Sequence, residues 1–198
     1  MENKDNIRKK LIEAGRELVY AKGADFLTAR KLSEASGCSI GTIYNQFANM
    51  DEFAIEQNKI TIEELNTRFA MTKYGNDGYC NLMQMVETFV AFVLDNRQLW
   101  FLLYNFHLNK NGDALPWDYK RKIVRLMRFA DKDFERMFKF LGEKRRLIMR
   151  RVFELGLFGF SAMLSTEMLG GMKSANRDNL CQIFANTFLA GIMLLEKE

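Results

Sequence analysis

The chain contains a single proline, Pro116, among 198 residues, and its glycines fall at a few places. Proline and glycine are the residues that most often interrupt helices, so long stretches of this sequence have no local reason to leave a helical conformation. Leucine, methionine, lysine and glutamate, which favour helices, are frequent. No segment shows the sustained alternation of apolar and polar residues that predicts a half-buried strand. We therefore expect an all-α fold.

Apolar spacing and end signals predict the positions of the helices. Thr28 and Ser39 are suited to cap the starts of the second and third helices, and Gly37 ends the second. Asn49 and Glu52 have the spacing of a capping box. The predicted helices cover residues 4–22, 29–36, 40–47, 50–71, 79–95, 97–107, 117–140, 143–168 and 176–197.

Charge and cysteine content narrow the class of protein. The formal net charge is +4 and the pI is about 8.9, a balance that permits a polyanionic partner without requiring one. The three cysteines, Cys38, Cys80 and Cys181, are far apart and odd in number, which fits free thiols in a reducing compartment and gives no metal-ligand spacing. The N-terminus is polar and no apolar run is long enough to span a bilayer. We expect a cytoplasmic protein with no metal, no cofactor and no membrane partner.

Residues 28–47, TARKLSEASGCSIGTIYNQF, have the pattern of a helix-turn-helix unit, in which two short helices are joined by a few residues including a glycine. On the second helix, the three- and four-residue spacing of Ile40, Ile43 and Phe47 predicts a stripe that packs inward. A second set of residues is left facing outward, namely Gly41, Thr42, Asn45 and Gln46, and Tyr44 lies at the edge of that face, where its hydroxyl could reach a phosphate.

The outward residues suit contact with double-stranded DNA. Asn and Gln side chains can bond adenine through two hydrogen bonds, and the methyl group of threonine can touch that of thymine. Gly41 costs about 1 kcal/mol of helix stability relative to alanine, a cost that close approach of the helix backbone to a phosphate or base would explain. Spacing alone also allows a polar face on a small helical bundle with no nucleic-acid role.

Residues 7–53 resemble the DNA-binding domain of the tetracycline-repressor (TetR) family. The resemblance rests on Gly23, Thr28, Leu32 and Gly37, on the run Ser39-x-Gly41-Thr42-x-Tyr44-x-x-Phe47, and on Asp51-Glu52 at the start of the next helix. It implies an N-terminal three-helix helix-turn-helix domain followed by a larger C-terminal helical bundle. Met50 stands where family members often carry lysine.

The resemblance also implies which part of the chain binds DNA and which part binds a ligand. Residues 1–50 would bind DNA, a helix reaching to about residue 71 would connect, and residues 51–198 would bind a ligand and form a homodimer. The predicted function is a sequence-specific transcriptional regulator, a repressor released from a near-palindromic operator by a small apolar or aromatic effector. The DNA-binding residues would be Thr28, Ser39, Gly41, Thr42, Tyr44, Asn45 and Gln46.

Residues 79–198 carry most of the aromatic and methionine residues. Most of them are expected to be core, yet aromatic and methionine side chains between helices also form ligand-binding walls. His107, the only histidine, lies near a helix end, where a capping or surface role competes with ligand contact. The predicted effector residues are Phe89, Phe92, Trp100, Tyr104, His107 and Trp117.

The last two predicted helices are apolar on more than one side. Such a helix must be buried, and a partner subunit can bury it at the C-terminal edge of a bundle. The family dimerises through these helices, so both arguments predict a homodimer. The predicted interface residues are Leu155, Phe158, Met163, Phe184 and Phe188.

An enzyme and an all-α module without DNA binding are the two alternatives to a DNA-binding regulator. An enzyme is not expected, because the chain has one histidine and lacks zinc-protease, C-x-x-C and phosphate-binding glycine motifs. An all-α ligand-binding or interaction module with weak or no DNA binding is the second alternative.

Residues 120–151 carry an excess of Lys and Arg, which indicates either solvated basic helix faces or contact with an anionic effector or a second polyanion.

Overall fold

The computed structural model describes residues 4–109, 115–166 and 177–194. Within these ranges the chain forms helices and connections without strands, so the predicted all-α class is confirmed. The helices are α1 (Lys4–Lys22), α2 (Ala29–Ser36), α3 (Ile40–Gln46), α4 (Met50–Met71), α5 (Gly78–Asp95), α6 (Arg97–Asn109), α7 (Trp117–Leu126), α8 (Asp131–Met137), α9 (Glu143–Ser165) and α10 (Arg177–Leu194), with a 3₁₀ turn at Ala24–Phe26. The predicted helix ends near residues 168, 176 and 197 lie outside the described residues.

The end signals of the first helices act as the sequence predicts. Thr28 Oγ1 accepts a hydrogen bond from the backbone N–H of Lys31 at 3.3 Å and so caps α2. Gly37 ends α2 with a φ of 68°, a conformation that glycine adopts without strain. At the start of α4, Asn49 Oδ1 accepts from the N–H of Glu52 at 2.8 Å.

The chain packs as two compact units. The first comprises residues 1–64 and 96–123, and the second comprises residues 65–95 and 124–198. Helix α4 contributes residues to both units. The functional boundary expected at residues 50 and 51 stays a prediction.

The core of the first unit fixes the N-terminal helices. α1, α2, α3 and the start of α4 each contribute at least one fully buried apolar side chain, and α6 packs on α1. Phe47 and Phe53 meet edge to face, with ring centroids 4.8 Å apart. The cluster consists of Leu11, Leu32, Ile43, Phe47 and Phe53.

The second unit is held by phenylalanine rings between α5, α8, α9 and α10. Phe89 of α5 lies 5.1 Å from Phe158 of α9, measured between ring centroids. Phe153 of α9 lies 5.4 Å from Phe134 of α8 and 5.0 Å from Phe188 of α10. These contacts place α9 against the other three helices of the unit.

The single helix expected at residues 117–140 is wrong. The chain forms α7 and α8 instead, joined by turns in which Phe129 N–H bonds the carbonyl of Leu126 and Asp131 N–H bonds that of Arg128. Phe129 stacks on Phe69 of α4, with centroids 4.4 Å apart, and Ala130 is fully buried. The break therefore comes from tertiary packing and not from a proline or glycine.

Candidate nucleic-acid interface and effector residues

The turn between α2 and α3 is fixed by side chains as well as by Gly37. Ser39 Oγ accepts from the backbone N–H of Thr42 at 3.1 Å and lies 2.9 Å from the Thr42 hydroxyl, so Ser39 caps α3. The Ser33 hydroxyl donates to the carbonyl of Cys38 at 2.6 Å. These bonds set the position at which α3 begins relative to α2.

The burial predicted for the inner face of α3 is confirmed at two positions and wrong at a third. Ile43 and Phe47 are buried in the core cluster. Ile40 is 45% exposed, so the prediction that it packs inward is wrong. At this end of α3 the side chain that packs against the cluster is Cys38 of the turn. Because Ile40 is the first residue of the helix, it projects past the edge of the core although its spacing matches Ile43.

The outer face of the helix-turn-helix unit contains the residues predicted to contact DNA. Their roles stay a prediction, but the structure brings them to the surface of one compact unit. Thr42 and Gln46 are half-buried, and the exposed members of the set are Thr28, Ser39, Gly41, Tyr44 and Asn45.

Gly41 has no packing reason to be glycine. A Cβ built on it would meet only Ser39 Oγ, at 3.7 Å, an ordinary contact distance. Its φ is not positive, so alanine would cause no backbone strain. Because glycine destabilises a helix relative to alanine, neither packing nor helix stability explains glycine at this exposed position.

Arg8 of α1 holds the far end of α3, a role that the sequence does not signal. Its Nη1 donates to the carbonyl oxygen of Gln46 at 2.6 Å, and its guanidinium lies 4.2 Å from the centroid of the Phe47 ring. Arg8 also pairs with Glu56 and Glu52 of α4, at 3.6 and 3.9 Å. One side chain thus ties α3 to both α1 and α4.

Comparison with known proteins decides the family of this helix-turn-helix unit. Residues 11–56 match the model of bacterial regulatory proteins of the tetR family. The helix-turn-helix unit of this chain is of the tetR-family type. The matched residues include α2, the turn and α3, which are the elements that carry the sequence resemblance.

Several solved structures share the fold over nearly the whole chain. A tetR-family transcriptional regulator from Streptomyces coelicolor is 14% identical with a TM-score of 0.71, covering 97% of this chain and 82% of that one. RolR in complex with resorcinol is 16% identical with a TM-score of 0.64, covering 94% and 87%. A TetR variant from Acinetobacter baumannii in complex with minocycline is 18% identical with a TM-score of 0.65, covering 94% and 96%. No curated protein sequence matches this chain significantly.

The predicted effector residues fall into both compact units. Phe89 and Phe92 are buried in the second unit, and Trp100 is buried in the first. Tyr104 and His107 are half-buried in the first unit, whereas Trp117 is 77% exposed. Their roles as ligand contacts stay a prediction.

His107 belongs to a buried polar cluster of the first unit. Its Nε2 lies 2.9 Å from the hydroxyl of Tyr119, which is itself fully buried. Burial lowers the pKa of His107 and raises the pKa of Tyr119. Asn58 of α4 lies beside the same hydroxyl, but neither of its buried amide atoms has a partner at full hydrogen-bond geometry. The sequence predicts His107 as an effector residue, but Asn58 and Tyr119 are not among the predicted effector residues.

The predicted dimer residues divide into exposed and packed side chains. Leu155 and Met163 of α9 are exposed. The rings of Phe158, Phe184 and Phe188 are half-buried and pack within the second unit, where Phe184 stacks on Phe160 with centroids 4.8 Å apart. The exposed apolar side chains on α9 and α10 include Leu147, Ile148, Val152, Leu155, Met163, Ile183, Met193 and Leu194.

Several cations of the basic stretch bind groups within the chain. Arg150 pairs with Asp131 and lies 3.4 Å from Glu154, and Arg151 lies 3.1 Å from the other oxygen of that carboxylate. Burial raises the pKa of Glu154. Lys122 bonds Glu63 at 2.8 Å. Ion pairs within the chain therefore account for part of the excess of Lys and Arg in residues 120–151.

Neither a metal-binding cluster nor a membrane-spanning helix is found among the described residues. They contain no group of three or more His, Cys, Asp or Glu side chains that could hold a metal ion. No helix among them has the length and apolar character needed to cross a bilayer.

Proposed function

We propose that this TetR-family chain is a sequence-specific, DNA-binding transcriptional repressor that acts as a homodimer and is released from its operator by a small apolar or aromatic effector. The observation that carries the DNA-binding part is Gly41. It is an exposed helical glycine that the fold does not require, and it lies among side chains able to bond bases and phosphates.

The chemistry of α3 supports base reading more than bulk charge attraction. Asn45 and Gln46 offer amide groups that match the hydrogen-bonding edge of adenine, and the Thr42 methyl can contact thymine. The Tyr44 hydroxyl, on an exposed ring, is suited to a phosphate oxygen. Since phosphates carry no sequence information, Tyr44 would add affinity and the amides would add preference.

A second copy of the chain is the partner that fits the exposed apolar side chains of α9 and α10. An apolar helix face at the edge of a unit is stabilised when a matching face covers it. A two-fold dimer would carry two copies of α3 and would read a near-palindrome, with half-site centres about 34–36 Å apart or slightly more.

The effector part of the proposal draws on the polar cluster around His107, Tyr119 and Asn58. Burying an amide group without a good hydrogen bond costs about 1–3 kcal/mol, and a bound molecule that bonds Asn58 would offset this cost. RolR and the Acinetobacter TetR were solved with resorcinol and minocycline, which makes a ring-containing effector a reasonable class for this chain. The effector must bind the DNA-free state more tightly than the DNA-bound state if it is to release the operator.

The experiment that tests DNA binding starts from selection of duplexes from a random pool, together with DNA upstream of the chain's own gene. Affinity for the selected operator and for a scrambled duplex is then measured by fluorescence anisotropy. We expect Tyr44→Phe to weaken binding to both duplexes alike and Asn45→Ala to relax the preference at particular base pairs by about 1–3 kcal/mol.

Asn105→Ala is the matched control, because Asn105 is an exposed asparagine on α6. It should leave both affinities unchanged. Failure of the wild-type chain to select any sequence would favour the alternative, an all-α interaction module without DNA binding. The effector part has its own test: a screen of ring compounds for a raised melting temperature and weaker operator binding. A screen without such a compound contradicts the effector and leaves DNA binding intact.

A further inference from the structure

The first residue of α3 is an apolar side chain on the face that we assign to DNA. Ile40 is 45% exposed and does not belong to the core cluster that buries Ile43 and Phe47. Isoleucine is a weaker helix former than leucine or alanine, so helix propensity does not explain it. Single exposed apolar residues are common on protein surfaces, and exposure alone therefore assigns no role.

Two neighbours of Ile40, Tyr44 and Gly41, are also exposed on α3. Tyr44, four residues later, lies on the same side of the helix and is 48% exposed. Gly41, the next residue along the chain, has no side chain, and a Cβ there would meet only Ser39 Oγ, at 3.7 Å. Another molecule that approaches α3 closely at Gly41 must therefore also meet the isoleucine side chain.

The composition of α3 restricts what that contact can be. The helix, Ile40–Gln46, contains no charged residue. It cannot bind DNA by neutralising phosphates, so its contribution depends on hydrogen bonds and apolar contacts. The C5-methyl of thymine is the apolar group that the four base pairs display in the major groove, and apolar side chains recognise it.

We propose that Ile40 is a specificity-determining residue that contacts a thymine methyl group in each half-site of the operator. The inference rests on the proposed function, because it assigns one base contact to the DNA-reading face. It also adds an apolar contact to the hydrogen bonds expected from Asn45 and Gln46.

The test replaces each operator thymine in turn, symmetrically in both half-sites, by deoxyuridine, which lacks the methyl group and keeps the base pair. Affinities are measured for the wild-type chain, for Ile40→Ala and for Val124→Ala. Val124 is a comparably exposed β-branched residue on α7, outside both the DNA-reading face and the proposed dimer face, and serves as the matched control. Melting curves of all three proteins check that they are folded.

At one thymine position, we expect deoxyuridine to weaken wild-type binding by about fourfold for each methyl group removed, the equivalent of burying one methylene. Ile40→Ala should bind the unmodified operator more weakly and lose sensitivity at that position alone, whereas Val124→Ala should behave like the wild type. If Ile40→Ala keeps wild-type sensitivity at every thymine, the inference is overturned while DNA binding stands. A wild-type chain that selects no sequence overturns both.

Discussion

Gly15 of α1 lies directly against the ring of Phe53 of α4. A Cβ on Gly15 would stand 2.5 Å from Cζ and 2.6 Å from Cε1 of that ring, well inside the contact limit. Phe53 is fully buried and packs edge to face on Phe47, so its ring has no free space to move into. The close approach of α1 and α4 beneath the helix-turn-helix unit therefore requires glycine.

The first prediction concerns this contact. Gly15→Ala should lower the free energy of unfolding by about 1–3 kcal/mol, because the overpacking outweighs the gain in helix propensity. Urea denaturation monitored by circular dichroism measures the change. An unchanged or raised unfolding free energy would mean that the two helices can separate without cost.

The second prediction uses the other helical glycine of this unit, Gly41, as the opposite case. Because a Cβ there meets only Ser39 Oγ at 3.7 Å, Gly41→Ala should raise the free energy of unfolding by about 0.5–1 kcal/mol. The same methyl group should weaken operator binding by about tenfold or more, a loss of about 1.4 kcal/mol. Denaturation and anisotropy titrations on one protein sample give both values. A more stable protein with unchanged affinity would contradict the role given to Gly41.

Local signals in the sequence predict the helix-turn-helix unit well. Thr28, Gly37 and Ser39 act within three or four residues of their own positions, as caps and helix ends, so their effect is visible in the sequence. The spacing of Ile43 and Phe47 likewise predicts the buried face of α3. Ile40 has the same spacing, and its exposure depends on where the core ends.

Contacts between distant residues explain what the sequence did not predict. Arg8 reaches the carbonyl of Gln46, 38 residues away. The break between α7 and α8 depends on the stacking of Phe129 on Phe69, which no end signal between residues 117 and 140 announces. The cluster of Asn58, His107 and Tyr119 likewise joins three helices.

The third prediction tests Arg8 as the residue that positions α3. Arg8→Gln should lower the free energy of unfolding by about 1–2 kcal/mol, since it removes a charged hydrogen bond and a cation–π contact. It should also weaken operator binding, because the end of α3 loses its tie to α1. Lys9→Gln is the control: Lys9 carries the same charge, is largely exposed and pairs only weakly with Glu13 at 3.8 Å. Equal effects of the two variants would reduce the role of Arg8 to its charge.

The fourth prediction is a pH dependence of stability from His107. Burial lowers its folded pKa below the ordinary value of 6.5, so the unfolded chain binds more protons between those two values. The stability contributed by neutral His107 is complete above about pH 6.5 and falls as the pH drops toward the folded pKa. His107 is the only histidine, so His107→Gln should flatten this slope between about pH 7 and 5. Melting temperatures of the wild type and His107→Gln are measured across that range. Parallel slopes for the two proteins would contradict the assignment of the pH dependence to His107.

The fifth prediction concerns the partner that covers α9. Leu155 is 68% exposed, so Leu155→Glu should leave the fold of one chain intact while placing a charge on the proposed dimer face. Sedimentation should give a dimer for the wild type and a species near 23.1 kDa for the variant. Operator affinity should fall when the dimer is lost, because a near-palindrome is read by two copies of α3. Leu108→Glu is the matched control, since Leu108 is 67% exposed but lies on α6 in the first unit. It should remain dimeric, and a wild-type chain that sediments only as a monomer at micromolar concentration would disprove the dimer.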